Sequence, residues 1–413
     1  MPTTRIDMLV AMRTAQARRH HGARQRRDDE KRRRGAISDW ADSTHLNSQF
    51  FEAGERCETP DRDLSTNPSR EESMAYIKNI WYAAAWSSEI ARDLFPRTIA
   101  NEKIVFYRTE LGEIAAIEDR CPHRFVPLHL GKLKGDIVEC AYHGLCFDAS
   151  GACTLNPHGD GKIPRAARVK AYKVVEKHSI AWIWLGDPES ADADLIADFS
   201  VLTDPRFQTV SSYLHVAANY QLISDNLLDL SHGQYIHPMF ANAEGPPRFE
   251  PEKDPTGHEV WARFSRPNQY PNKYFQMLGY PKDQRGDHRN YMRWSAPSLL
   301  LLDVGMTGVG RPVEEGLSIP TSHLLTPETD TTTHYFWAMS RDFRQADAAL
   351  SDELLRVGVA VFDDEDKPVI EAQQRMIETS ELMSLNPVLL QTDGPAVRAR
   401  RVIEAGLKAE LAN

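Results

Sequence analysis

The chain has 413 residues, 41% hydrophobic and 26% charged, with a formal net charge of −10, which leaves room for two or three domains with ordinary buried cores. No run of eighteen apolar residues exists, which excludes a membrane-spanning helix, and the N-terminus lacks the apolar core of a secretory signal. Five cysteines (Cys57, Cys121, Cys140, Cys146 and Cys153) are an odd number with four in one cluster, a pattern that favours metal ligation in a reducing cytoplasm over a disulfide framework.

The charge is unevenly spread. Residues 1–35 hold eleven Lys/Arg against four Asp/Glu, a local +7 that leaves −17 on the remainder. A basic arm can bind nucleic acid, but this one has no aromatic residue on which a base could stack. The composition stays polar from Ser38 to Glu72, and an ordered pattern begins only at Tyr76-Ile77. Residues 1–74 read as a basic, disordered extension, dispensable for fold and activity, with no nucleic-acid partner expected.

Residues 75–190 read as a strand-rich domain. Ile104–Tyr107 and Ile114–Ile117 flank a Leu111-Gly112-Glu113 turn, a hairpin signature, and Ser179–Leu185 is an apolar strand that closes the region. Between them lie two short loops of ligand type, Cys121-Pro122-His123-Arg124 and Cys140-Ala141-Tyr142-His143-Gly144. Such loops suit either a tetrahedral zinc ion or a [2Fe–2S] cluster with a cysteine pair on one iron and a histidine pair on the other. A zinc finger usually draws each ligand type from its own loop. Here each loop supplies one Cys and one His, which suits a cluster whose two irons need different ligands. Cys57, Cys146 and Cys153 fall outside both loops and read as non-ligands.

These loops, with Pro127-Leu128 after the first and Asn156-Pro157-His158-Gly159 after the second, resemble the Rieske domain of Rieske-type aromatic oxygenases. By that resemblance Cys121 and Cys140 hold one iron, and His123 and His143 the other.

Asp187-Pro188-Glu189 reads as the start of a linker, and residues 191–413 as a second domain. In it Asn226, Asp229 and His232 fall three apart, the spacing of one helical ridge, and His237 follows five residues later. Five residues of unbroken helix turn through about 500°, leaving the two imidazoles roughly 140° apart. The helix is therefore expected to end or bend near Gly233. Two imidazoles and a carboxylate make the facial triad of a non-heme Fe(II) oxygenase, with open positions for O2. Glu259–Phe264, Ser298–Val304 and Thr333–Ala338 read as strands, the last alternating as if one face were buried. Leu299 to Leu302, Val304 and Met306 suggest an apolar pocket wall, with Leu302 and His323 as candidate substrate contacts. Stretches 346–362 and 368–384, and a third after Gly394-Pro395, have helical periodicity. Asp363, Asp364 and Asp366 crowd the entry of the helix opened by Lys367-Pro368, where a carboxylate also serves as an N-cap.

The resemblance extends over nearly everything after residue 75 and implies an α+β protein: an antiparallel Rieske [2Fe–2S] domain followed by a helix-grip domain of antiparallel sheet and helices. It implies one cluster and one mononuclear Fe(II) per subunit, the latter on His232, His237 and Asp366, with Asp363 in reserve. Asp366 is preferred because Asp366 and Glu371 match the family's spacing. It further implies Asp229 as an electron relay to a neighbouring subunit's cluster, Asn226 as an amide beside the iron, and a homo-oligomer, usually a trimer. No Gly-rich nucleotide fingerprint follows a strand, so NADH electrons are expected to arrive through a separate reductase or ferredoxin. The text from Asn79–Tyr82 through Arg293-Trp294 to Leu325–Glu328 most resembles the vanillate and dicamba O-demethylase branch. That implies a monooxygenase acting on a small aromatic compound by oxidative dealkylation, with O-demethylation of a methoxyaryl acid favoured and N-dealkylation of an anilide, amide or phenylurea as the alternative. The contrasting reading, a metal-binding regulatory protein with a nucleic-acid arm, predicts a colourless protein inert to O2.

Overall fold

The computed structural model describes residues 76–241, 247–250 and 259–412; the reading of residues 1–74 as an extension lies outside them. The first half is built from three small antiparallel sheets. In one, β1 (Trp81–Trp86) pairs with the strand formed late in this half. In the second, β2 (Phe95–Ile99), β3 (Glu102–Arg108) and β4 (Ile114–Glu118) lie side by side. β3 and β4 are the expected hairpin, with Val105 opposite Ile117 and Gly112 at φ +88°, a left-handed turn conformation that a residue without Cβ adopts freely. The third sheet runs β5 (Lys132–Lys134), β6 (Ile137–Glu139), β7 (Cys146–Phe147) and β8 (Cys153–Leu155); the first Cys/His loop lies between β4 and β5, and the second joins β6 to β7. β9 (Lys173–Lys177) and β10 (Ile180–Trp184) return to complete the sheet begun by β1.

The second half is one seven-stranded antiparallel sheet gripping helices. β11 (Gln208–Val216) leads into helix α1 (Tyr220–Leu228) and the one-turn α2 (Gly233–Ile236). β12 (Arg248–Phe249), β13 (Glu259–Gln269), β14 (Gly286–Ser295), β15 (Leu299–Gly308), β16 (Leu317–Thr329) and β17 (Thr332–Arg341) form a meander, and β11 adds to its end beside β17. Helix α3 (Lys273–Leu278) interrupts it between β13 and β14. Helices α4 (Ala348–Val359), α5 (Lys367–Ile377) and α6 (Gly394–Leu411) follow.

Two local expectations are corrected here. β17 is buried on both faces along nearly its whole length, not on one. Its Tyr335, Trp337 and Met339 join the helix-side core with Leu350, Leu354 and Val357 of α4. Phe336 faces the other way, into a layer with Trp81, Trp182 and Trp184 of the β1–β10 sheet. A strand that separates two cores loses the polar face that alternation predicts. Each fully buried large side chain in these layers contributes roughly 1.5–3 kcal/mol. Gly358 is required by this packing, since a Cβ there would lie 2.3 Å from the Trp337 ring.

The second correction concerns 346–384. Instead of two helices with an entry between them, α4 continues through a π-helical segment, Ala360–Asp366, into α5, and the run ends at Glu378 with φ +52°. Pro368 has no N–H to offer and its ring opposes the carbonyl four residues back. The wider turn, in which Lys367 N–H reaches the Phe362 carbonyl, accommodates it without a break.

The two halves share one core rather than meeting at a thin seam. Ile104, Phe106, Ala181 and Ile183 of the first pack in the same cluster as Tyr220, Leu227 and Trp337 of the second. Thr326 Oγ1 donates to the Ala83 carbonyl at 2.7 Å, and Ala100 N–H to the Pro327 carbonyl at 2.8 Å. No helix among the described residues is long and apolar enough to cross a membrane.

Helix α1 is tied to α6 by a nearly buried ion pair. Arg400 reaches both carboxylate oxygens of Asp225 (2.6–3.1 Å) and donates to Gln221 Oε1 at 3.0 Å. Arg400→Ala leaves the Asp225 carboxylate unpaired and is expected to lower stability by about 3 kcal/mol in urea unfolding of the full chain; an unchanged midpoint would refute the anchoring role.

A pH dependence follows from the sheet. Burial pushes His288 and His334 down to about 4 and His323 down to about 3. The unfolded chain therefore binds more protons than the folded one below about pH 6.5, so stability is complete above that pH and drains as pH falls toward 4. Each of the three contributes up to ~1.4 kcal/mol per pH unit in that window. Thermal melts are expected to show a falling midpoint from pH 7 to pH 5, and a flat profile would contradict it.

Candidate functional site

Asn219 caps α1 by accepting from Gln221 N–H, and the helix stops at Asp229 (φ −102°, ψ 83°). The expected single ridge through Asn226, Asp229 and His232, bending near Gly233, is therefore not what forms. Of the three only Asn226 lies on α1; Asp229 is its C-cap, and His232 opens α2. His237 follows α2 in extended conformation (φ −112°, ψ 93°). The chain turns between Asp229 and His232 and again at His237. These two turns remove the angular separation that a straight helix would impose on the imidazoles.

Both rings meet a carboxylate brought from the far end of the π segment. His232 Nε2 is 3.6 Å and His237 Nε2 3.4 Å from Asp366 Oδ1, and the ring centroids are 5.2 Å apart at 76°. Among the described residues, these three form the group of His, Cys, Asp or Glu whose donor atoms lie within 4.8 Å of one another in metal-binding fashion. Each imidazole is held from its other nitrogen: His232 Nδ1 is 2.5 Å from the Asp229 carbonyl, and His237 Nδ1 is 2.8 Å from Glu365 Oε2. Asn226 Nδ2 donates to Asp366 Oδ1 at 3.3 Å, while its buried Oδ1 has no partner. Asp363 is instead held by Lys367 Nζ at 2.8 Å, and Asp364 is exposed. The Asp229 carboxylate accepts from Ser231 N–H at 3.0 Å; its carbonyl, not its side chain, reaches His232.

The electrostatics of this group are those of a site built around a cation. Burial pushes the Asp366 carboxyl up to about 7 against the Asn226 hydrogen bond. Burial brings His237 down to about 4, and burial with the neighbouring His237 lowers His232. Two neutral imidazoles and a reluctant carboxylate present lone pairs to one point. A divalent cation there would offset the burial of the carboxylate charge and meet the donor types of a two-His, one-carboxylate iron site. The unpartnered Asn226 Oδ1 fits the same reading, as an acceptor for a ligand beside the metal.

A cavity with about 840 Å³ of empty space, counting its open mouth, lies over the triad. Leu302 and Val304 of β15 line it; Leu299 faces the tryptophan layer instead, and Leu300 and Met306 belong to the core. His323 also lines it, fully buried, with Nδ1 2.6 Å from the Tyr335 hydroxyl and Nε2 without a partner. The sequence offered no signal for Arg266, His288, Asn290 and Phe240, which share the lining. Arg266, His288 and Asn290 come from β13 and β14, where strand pairing sets Arg266 opposite His288, and Phe240 comes from the segment after α2.

The Cys/His loops are built alike. Cys121 N–H donates to the Val126 carbonyl, and its own carbonyl accepts from Phe125 N–H; Cys140 N–H donates to the Leu145 carbonyl, and its own carbonyl accepts from Gly144 N–H. The fourth residue after each cysteine has positive φ, Phe125 at +58° and Gly144 at +70°. Both cysteines are buried. His123 is exposed and His143 half-buried, with ring centroids 4.4 Å apart. Burial pushes the Cys121 thiol up to about 11, with Cys140 beside it adding to the shift. Two adjacent buried thiols and two adjacent outer imidazoles fit a [2Fe–2S] cluster with one iron inward and one at the surface. Cys146 Sγ instead contacts the Gly144 carbonyl, and Cys153 Sγ the Leu155 carbonyl; Cys57 is outside the described residues.

Residues 80–173 match the Rieske [2Fe-2S] domain family, and residues 216–409 the family described as the vanillate O-demethylase oxygenase C-terminal domain. The chain is 37% identical to the oxygenase component of chloroacetanilide N-alkylformylase of Rhizorhabdus wittichii, over 81% of this chain and 97% of the relative. It is likewise 37% identical to the oxygenase component of dicamba O-demethylase of Stenotrophomonas maltophilia, over 80% and 98%. A crystal structure of dicamba monooxygenase with non-heme iron and dicamba matches with a TM-score of 0.70 at 35% identity, covering 82% of this chain and 99% of that one.

Asp366→Ala removes the carboxylate on which both imidazoles converge. The variant is expected to lose its mononuclear metal in elemental analysis while keeping the visible absorption of the cluster; a protein that retained both metals would exclude Asp366 as a ligand.

Proposed function

The chain belongs to the Rieske non-heme iron oxygenases as an oxygenase component, and on that premise we propose that it oxidatively dealkylates a small substituted aromatic compound, a methoxyaryl acid by preference. The observation that carries this reading is the convergence of His232, His237 and Asp366 at the base of a largely apolar cavity. Cys121, His123, Cys140 and His143 are assigned to the [2Fe–2S] cluster, and the converging triad to the mononuclear iron. When bound, these groups would supply one-electron storage and O2 activation, so that an O-methyl carbon, O2, two electrons and two protons would give a hemiacetal and one water, and the hemiacetal would release formaldehyde and the phenol.

The protein's own residues prepare that chemistry. Asn226 Nδ2 fixes the orientation of Asp366. Leu302, Val304 and Phe362 exclude water from the aromatic ring, and the unpartnered His323 Nε2 is the polar contact that orients the substrate. His323 stays neutral above its lowered pKa of about 3, so it offers a hydrogen bond and no charge. Asp229 is assigned as the relay between His232 and the partner subunit's His143, in a homo-oligomer, here a trimer. Its carbonyl already holds His232, and its half-buried carboxylate is engaged on one oxygen by Ser231.

NADH is assigned to a separate reductase, acting directly or through a ferredoxin, in the cytoplasm. The charge of −17 outside residues 1–35 favours a partner whose docking face is basic. N-dealkylation of an anilide or amide runs the same step through a carbinolamine. The likeness to chloroacetanilide N-alkylformylase keeps that second reading in the test.

The test is aerobic turnover with NADH and a surrogate reductase over methoxybenzoates, N-alkylanilides and phenylureas, reading aldehyde and dealkylated aromatic. Metal-replete protein that releases neither from any of them would overturn the assignment. Asp229→Asn is expected to keep both metals yet lose nearly all turnover, and undiminished activity would remove Asp229 from the electron path.

A further inference from the structure

We propose that Glu365 is the positioning residue of the mononuclear centre, its carboxylate holding His237 in the tautomer that leaves Nε2 free for the metal. The inference rests on the reading of His232, His237 and Asp366 as the iron site. It concerns a residue that neither motif spacing nor the facial-triad pattern singled out.

The geometry is a clamp on one ring. Glu365 Oε2 lies 2.8 Å from His237 Nδ1, and Asp366 Oδ1 lies 3.4 Å from Nε2. The two nitrogens are on opposite sides of the imidazole, so consecutive carboxylates address it from both sides. Glu365 therefore cannot share the metal with Asp366 through this contact. A carboxylate only accepts, so Nδ1 carries the proton and Nε2 keeps its lone pair.

The backbone explains how adjacent residues manage this. Consecutive side chains on an α-helix diverge by about 100°. Residues 360–366 are π-helical, and the wider turn brings successive residues closer in direction. The neighbouring acids behave differently: Asp363 is spent on Lys367 and Asp364 points to solvent, whereas Glu365, with its side chain 28% exposed, turns inward to the ring. An ordinary surface acid on a helix would have no such partner.

The two ligand imidazoles thus receive unequal support. His232 donates to a neutral carbonyl, that of Asp229; His237 donates to a carboxylate. An anionic acceptor makes the imidazole a more basic ligand and holds its plane, and loss of such a partner typically costs roughly 10–100-fold in metal affinity. His237 is almost fully buried, so water is poorly placed to take over the contact.

The experiment uses the full-length protein, stripped of mononuclear iron by a chelator and titrated anaerobically with Fe(II) or Co(II). The visible absorption of the [2Fe–2S] cluster in the same sample reports that each variant is folded. Glu365→Ala, and Glu365→Leu with its helix-forming side chain of similar volume, are expected to bind roughly 10–100-fold more weakly than wild type with cluster absorption unchanged. Glu365→Gln, whose amide oxygen still accepts from Nδ1, is expected to recover most of the affinity. Leu and Ala variants that bind as tightly as wild type overturn the proposal, as does a Gln variant no tighter than Leu. A wild-type protein that takes up no metal at this site overturns instead the iron-site reading on which the proposal rests.

Discussion

The constraint on which the rest of the structure depends is the burial of two imidazoles and a carboxylate against one another. Such a trio is expensive in a protein interior, because the carboxylate loses its hydration without an opposite charge beside it. Asp366 is 4% exposed and held mainly by one amide hydrogen bond. The elements around it are held together by packing and by one ion pair. The seven-stranded sheet supplies one wall, and the α4–π–α5 run another. The Arg400–Asp225 pair pins the helix that precedes the histidines to the C-terminal helix. A cation then gains what the polypeptide has already arranged at its own cost.

Both segments that carry the converging side chains depart from ideal helix, and the departures have the same effect. α1 stops at Asp229 so that His232 and His237 can be re-aimed. The helix bearing Asp366 widens into a π segment without stopping. π segments occur where a helix must present residues in directions that 3.6 residues per turn does not allow. Here the segment also receives Pro368, which an unbroken α-helix would resist. One irregularity thus serves a backbone problem and a side-chain problem together.

The Cys/His loops solve a different problem by repetition. Each places a buried cysteine at the start of a tight turn closed by a positive-φ residue, and leaves its histidine further out. The two cysteine thiols therefore lie inward and the two imidazoles outward at one end of this half. The tryptophan layer of Trp81, Trp182 and Trp184 against Phe336 welds the sheet behind these loops to the gripping sheet of the second half. Domains that are distinct by family are therefore one packed body in this chain.

Much of this was legible from the amino acids alone. The two mixed loops, the histidine pair and the order of a strand-rich half before a sheet-and-helix half follow from local spacing. Ligand types and turn residues are local properties, and the hairpin at Gly112 is another. What could not be read locally depends on distant segments meeting. The apparent ridge Asn226–Asp229–His232 was a true periodicity on a helix that ends too soon, at Asp229, before it reaches the histidines. β17 alternates as if one face were wet, yet a second layer arrives from a hundred residues or more upstream. Glu365 resembles its acidic neighbours until the π turn aims it at His237. Residue types and spacings determined which chemistry this protein can perform. Only the tertiary structure decided where each carboxylate points, since that direction is set by packing between elements and not by any element on its own.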